Sequence, residues 1–132
     1  MRFERAVAQR LEQFGLKLHP EKTRLIEFGR FARENRLRRG QGKPQTFEFL
    51  GFTHCCARSQ KGKFLLLRLT SAERLRRKLQ AVKIELKRRM HRPIAEQGKY
   101  LRAVVSGHGR YYGVPCNGAR LRTFRFQVAR LW

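Results

Sequence analysis

Apolar residues recur at helical spacing from the start of the chain. Phe3, Val7, Leu11 and Phe14 share one side of "FERAVAQRLEQF", and Gly15 is a natural stop. Two short alternating stretches, Leu16–Leu18 and Arg24–Phe28, are expected as strands. Between them "HPEKT" breaks the pattern, and Pro20 restricts His19 to extended or turn geometry, so the break is a tight connection. Residues 30–45, "RFARENRLRRGQGKPQ", show little periodicity and read as a mobile basic loop. "TFEFLGF" at 46–52 alternates and then turns wholly apolar, as a half-buried strand does near a core. "SQKGK" turns the chain into "FLLLRL", predicting a hairpin over about 49–69.

Beyond residue 70 the period becomes helical. Thr70 with Glu73 forms a capping-box pattern, followed by Leu75, Leu79, Val82, Leu86 and Met90 within about 80° of one another. Arg76, Arg77, Lys83, Lys87 and Arg88 are expected on the opposite side, and Pro93 ends this helix. A second helix over about 95–112 carries Leu101, Val104, Val105, His108 and Tyr112 along one side. A third begins near Asn117 as N-cap and aligns Leu121, Phe124, Val128 and Leu131. The expected fold class is α+β: a small sheet or hairpin with one N-terminal helix (1–69), then a three-helix bundle (70–132).

Charge sharpens this division. The 132 residues carry 32 Lys+Arg against 9 acidic groups, a net +23. Residues 1–56 hold 12 basic and 6 acidic groups, and residues 57–132 hold 20 and 3, so the helical part bears most of the excess. Such a field repels itself unless a polyanion neutralises it, which makes nucleic acid the first candidate partner. A chain of this length is expected to bury about two-thirds of its unfolded surface. No apolar run reaches the length of a membrane span and no signal-peptide core is present, so a cytoplasmic setting without membrane contact is expected. Three cysteines, two of them adjacent (Cys55, Cys56, Cys116), make no disulfide framework. Every acidic residue is a glutamate; the sequence has no aspartate.

Three blocks, "FGLKLHPEKTRLIEFGRFA" (14–32), "TFEFLGFTH" (46–54) and "GHGRYYGVPCN" (107–117), resemble in order and spacing the reverse transcriptase/maturases encoded by bacterial group II introns. The first two are similar to the last conserved blocks of the polymerase palm. The third is similar to the signature of the maturase-specific, thumb-like domain. The resemblance implies a palm remnant over 1–69 and an RNA-binding helical domain over 70–132. It places Lys22 near the incoming triphosphate of an intact enzyme, where a lysine would offset charge on the leaving pyrophosphate. On residue type alone Lys22 is better read as a surface lysine in a turn. By resemblance Phe49, Leu50, Gly51 and Phe52 match the hairpin that holds a primer end, although packing alone also explains the phenylalanines.

The family's polymerases hold two Mg²⁺ ions on aspartates, including a Tyr-x-Asp-Asp turn. Here no aspartate exists, and Glu21, Glu27 and Glu48 stand in no paired arrangement, so this chain by itself is expected to be inactive as a polymerase and to hold no cofactor. What the resemblance leaves is binding to group II intron RNA. Arg74, Arg76, Arg77, Lys83, Lys87 and Arg88 would track phosphates, in a salt-dependent mode with weak sequence preference. Arg110, Tyr111 and Tyr112 would add an aromatic–cation cluster for an unpaired base, with core packing the alternative for Tyr112. Gly107 and Gly113 read as a close helix contact and a helix stop. Ser106 stands where the family pattern is expected to carry a basic residue. A zinc site at His54, Cys55 and Cys56, with Cys116 and His108 elsewhere, is disfavoured because consecutive strand residues point to opposite faces.

Three readings follow from these residues. One is an RNA-binding maturase fragment that aids splicing. A second is one half of a split reverse transcriptase, active only with a separately encoded N-terminal half. A third is a relic without function.

Overall fold

The computed structural model describes residues 2–132, and the chain runs α1 (Arg2–Glu12), α2 (Ala32–Arg38), β1 (Phe47–Phe49), β2 (Phe52–Arg58), β3 (Phe64–Thr70), α3 (Ala72–Arg88), α4 (Ile94–Tyr112) and α5 (Gly118–Leu131). The class is α+β, with a three-stranded antiparallel sheet in the order β1-β2-β3 and five helices.

The bundle forms where the 3.6-residue period is longest. Leu75, Val82 and Leu86 from α3, Leu101 from α4, and Phe124 and Val128 from α5 make one buried cluster. Leu79, Tyr100, Val104, Val105 and Leu131 pack against its rim. Val82 is fully enclosed and Phe124 is 1% exposed. Side chains of this size each contribute roughly 1.5–3 kcal/mol when taken from water. Met90 lies beyond the end of α3 and is exposed, so the seam is one residue shorter than its spacing predicts.

The sheet is a meander. Phe49 pairs with Phe52, leaving Leu50 and Gly51 as a two-residue turn with φ of 50° and 79°. Two successive positive φ values match the mirror-image turn whose twist suits a tight hairpin. "TFEFLGF" is therefore a strand, a turn and the start of a second strand, not one strand. The next hairpin pairs 52–58 with 64–70, from Phe52↔Thr70 to Arg58↔Phe64.

The N-terminal third departs further from expectation. Leu16–Leu18 and Arg24–Phe28 join no sheet. The turn between them is tight, with the Thr23 N–H donating to the His19 carbonyl at 2.9 Å. The second segment instead lies against the sheet through Phe28, edge-on to Phe47 at 4.9 Å, and Gly29, whose N–H donates to Cys56 Sγ at 3.4 Å. Residues 30–45 contain a helix, α2, where a loop was expected. "ARENRLR" is made largely of good helix formers, with Glu34 in its first turn and Arg36 and Arg38 in its last, which suits the helix dipole. Its end is closed by Gln41 N–H to the Arg36 carbonyl (2.8 Å) and Gly40 N–H to the Leu37 carbonyl (3.0 Å). The same pair of bonds closes α1, from Leu16 to Leu11 and from Gly15 to Glu12, both at 3.0 Å, so Gly15 does act as the stop.

Little of this part is covered. The α1 stripe is only partly covered, with Val7 and Leu11 half-buried and Phe3 and Phe14 both 68% exposed, and Ala32 is the one buried hydrophobic residue described outside the bundle. The chain exposes 10969 Å². A folded monomer of 15.7 kDa exposes about 7,300 Å², so burial here reaches only about half of the unfolded surface. The expected two-thirds is not met, because the apolar side chains before residue 70 have no second layer to pack on.

Candidate nucleic-acid interface

The "FLGF" turn and the "GHGRYYGVPCN" segment, distant in sequence, meet in the fold. Phe52 stacks near-parallel on Tyr111 at 5.9 Å and meets Tyr112 edge-on at 5.1 Å. The Tyr111 hydroxyl donates to the Leu50 carbonyl at 2.9 Å. At Gly51 an added Cβ would stand 2.9 Å from the Tyr112 hydroxyl oxygen, so the positive φ and the close approach both require glycine. Beneath this contact, Asn117 is fully buried and joins three elements. Its Oδ1 accepts from the Thr70 N–H (2.9 Å), and its Nδ2 donates to Thr70 Oγ1 (2.8 Å) and to the Tyr112 carbonyl (2.8 Å).

This junction reassigns several expected roles. Thr70 is the last residue of β3, not a cap; Ser71 occupies the N-cap position of α3 and Glu73 pairs with Arg77. Ser71 Oγ donates to Glu48 Oε1 at 2.9 Å, which puts a carboxylate at the start of α3, where the helix dipole favours it. Asn117 does sit at the N-cap of α5, but its side chain is spent on β3 and α4. Tyr112 is half-buried among Phe52, His108 and Tyr111, so it packs and does not offer a free stacking face. Burial, then the neighbouring Tyr111, push its hydroxyl pKa up, against a smaller opposing pull from Arg74. Tyr111 remains 56% exposed beside the exposed Arg110. Gly113 ends α4, and a Cβ there would stand 2.5 Å from the Gly109 carbonyl oxygen. Gly107 has open space around it, so the close helix contact expected there is not made.

The cations of α3 divide into two groups. At about 100° per residue, Arg74, Arg77, Lys78 and Arg88 fall on one side of the buried seam, and Arg76, Lys83 and Lys87 on the other. Arg74, Arg77 and Lys78 line a groove against α4, with His108 and Tyr112 at its floor. Arg76 and Lys83 line a groove against α5, which Arg77 also borders. That second groove continues past Lys83 and Lys87 to Arg130 and Trp132. The single cationic face expected from the sequence is thus two flanks. Lys78, Arg130 and Trp132 belong to them and were not singled out; Lys78, four residues after Arg74, was open to the same spacing argument.

All three glutamates of this half are engaged within their own helical segments. Glu73 pairs with Arg77, Glu85 with Arg89 at 2.6 Å and Arg88 at 3.9 Å, and Glu96 with Arg92 at 3.5 Å. Arg74, Arg76, Lys78, Lys83, Lys87 and Arg110 are exposed and form no ion pair among the described residues. Their charge faces solvent uncompensated.

His108 sits between the halves of the site. It stacks on Phe124 at 3.7 Å and meets Tyr112 at a tilt at 4.5 Å, and its Nε2 has no hydrogen-bond partner among the described residues. Burial, then the charge of Lys78, lower its pKa below the usual 6.5. It is a neutral core ring.

No protein-family model, curated protein or solved structure matches this chain. The remaining expected sites can be placed from the structure alone. Lys22 is exposed in its turn, and no hydrogen bond or ion pair joins its side chain to the other candidate residues. Of Glu21, Glu27 and Glu48, Glu27 pairs with Arg39 and Glu48 holds Ser71. Among the described residues no group of three or more His, Cys, Asp or Glu could hold a metal ion. Among the described residues no helix is long and apolar enough to cross a membrane.

Proposed function

We propose that this chain is an RNA-binding protein of the group II intron maturase kind, which grips folded intron RNA, assists its splicing and does not polymerise DNA by itself. The observation that carries the reading is the pair of α3 flanks. Uncompensated Arg and Lys stand on either side of a buried seam, so a rigid helix presents charge to phosphates on two fronts. The resemblance of the "FLGF" and "GHGRYYGVPCN" blocks to neighbouring parts of such proteins is supported by their direct contact here. The absence of aspartate, with Glu27 and Glu48 engaged elsewhere, argues for binding without phosphoryl transfer.

Titrating the chain against a group II intron RNA and an unrelated structured RNA of equal length, across a salt series, tests this. The reading expects a preference for the intron RNA that persists as salt rises. Equal affinity at every salt concentration contradicts it.

One observation favours a second reading, in which the chain completes a reverse transcriptase with a separately encoded polypeptide. The chain exposes more surface than a folded monomer of its size, and before residue 70 Phe3, Phe14, Leu16, Leu25 and Phe49 are all exposed. Primer extension after co-expression with a palm-bearing half decides it; no extension above either half alone rejects it.

A further inference from the structure

The β2–β3 hairpin has two working ends. One docks on α4 through Leu50 and Phe52, and the other, about 20 Å away along the seven residues of β2, opens into a cleft of about 720 Å³. Arg30, Phe31 and Arg33 form one wall and Lys61, Lys63 and Phe64 the other. The walls are tied together by Gly29 N–H to Cys56 Sγ (3.4 Å) and by an ion pair between Arg58 and Glu34 (3.0 Å). That pair uses up the one carboxylate lining the cleft. Arg30, Arg33, Lys61 and Lys63 form no ion pair among the described residues; Arg30 lies over one face of the Phe31 ring at 5.5 Å, and Phe31 and Phe64 remain 61% and 38% exposed.

We infer that this cleft is a second nucleic-acid site, which takes an unpaired strand: phosphates on its four free cations and a base against Phe31 or Phe64. Rings and uncompensated cations occur together here, and that combination selects the ligand. A purely apolar partner leaves four charges unneutralised on burial. A regular duplex neutralises them but keeps its bases stacked inside, out of reach of the rings. A single strand offers a phosphate and a free aromatic face per nucleotide, which is how sequence-tolerant single-strand sites are built. The inference goes beyond the α3 reading and does not depend on it, since no α3 residue lines the cleft.

The test uses the full chain with fluorescein-labelled rU12 and a duplex RNA of equal length. Phe31→Ala with Phe64→Ala is expected to weaken rU12 binding about tenfold, the loss of one stacked base, and to leave the duplex within about twofold. Lys61→Gln with Lys63→Gln is expected to weaken both and flatten the salt dependence. Phe64→Trp gives a readout independent of those losses: its added indole fluorescence is quenched by rU12, while the wild type, whose one indole is Trp132, serves as control. Lys83→Gln with Lys87→Gln separates this site from α3: it lowers intron RNA affinity and leaves the Phe64→Trp quench intact. Unchanged rU12 affinity in the double alanine variant, a parallel loss for the duplex, or no quench at saturating rU12 overturns the inference.

Discussion

Residues 70–132 and residues 2–69 of this chain solve the burial problem differently. The first region folds three amphipathic helices onto Val82, Leu86, Leu101 and Phe124 and turns its cations outward. The second has phenylalanines and leucines in abundance but spreads them over one short sheet, an extended segment and two helices, where Ala32 is the one buried hydrophobic residue described. Apolar content is therefore not what separates the two; a second layer is. A helix stripe needs a neighbouring stripe at the same depth. The bundle supplies this within itself, and the N-terminal region meets its sheet through Phe28, Gly29 and the Glu34–Arg58 ion pair.

The sharpest way to break this comparison is to remove one large side chain from each region. Phe124→Ala is expected to cost about 3–5 kcal/mol through lost burial and a cavity against His108, enough to unfold much of the population. Phe3→Ala in the partly covered stripe of α1 is expected to stay within about 0.5 kcal/mol. Urea denaturation followed by circular dichroism measures both. Similar losses would mean that the N-terminal region has a core of its own.

The junction between the regions comes next in size. Asn117→Ala removes a donor and an acceptor from a fully buried site and leaves the Thr70 N–H without its partner, so a loss of about 2–3 kcal/mol is expected. Amide exchange distinguishes a junction from a simple cap. Protection should fall at Thr70 in β3 as well as in the first turn of α5. A change confined to α5 would return Asn117 to the role of an ordinary helix cap.

The bundle's neutral histidine predicts a smaller effect. His108 has a folded pKa lowered first by burial and then by Lys78; Arg74, Arg77 and Tyr112 line the same groove, and Phe124 covers the ring from α5. The unfolded chain takes up this proton near pH 6.5, before the folded chain does. Its contribution is therefore complete above pH 6.5 and is lost as pH falls through the lower folded value. The stability difference between wild type and His108→Gln should shrink on acidification across that window. A constant difference would mean that the ring titrates normally.

Which parts were legible in advance follows the same physics. The three bundle helices were readable because 17, 19 and 14 residues repeat one stripe, and a long period is hard to imitate by chance. The α2 helix escaped because it is polar nearly all round, and Leu37 alone sets no period. Leu16–Leu18 and Arg24–Phe28 misled because short alternation says nothing about whether a partner strand lies beside it. The cations of α3 could be named from sequence, yet their division into two flanks needed the neighbours α4 and α5. Asn117 was placed correctly as an N-cap position, but no local rule points to a partner 47 residues away.

If the α3 flanks hold RNA through phosphate, as proposed, removing their cations must weaken binding in a salt-dependent way. The dependence of intron RNA affinity on salt, compared between wild type and a variant carrying Arg74→Gln, Arg76→Gln, Lys83→Gln and Lys87→Gln, tests it most directly. Four lost phosphate contacts should reduce the slope of log K against log salt by about 3 and weaken binding most at low salt. An unchanged slope, with the variant still folded, would contradict the account.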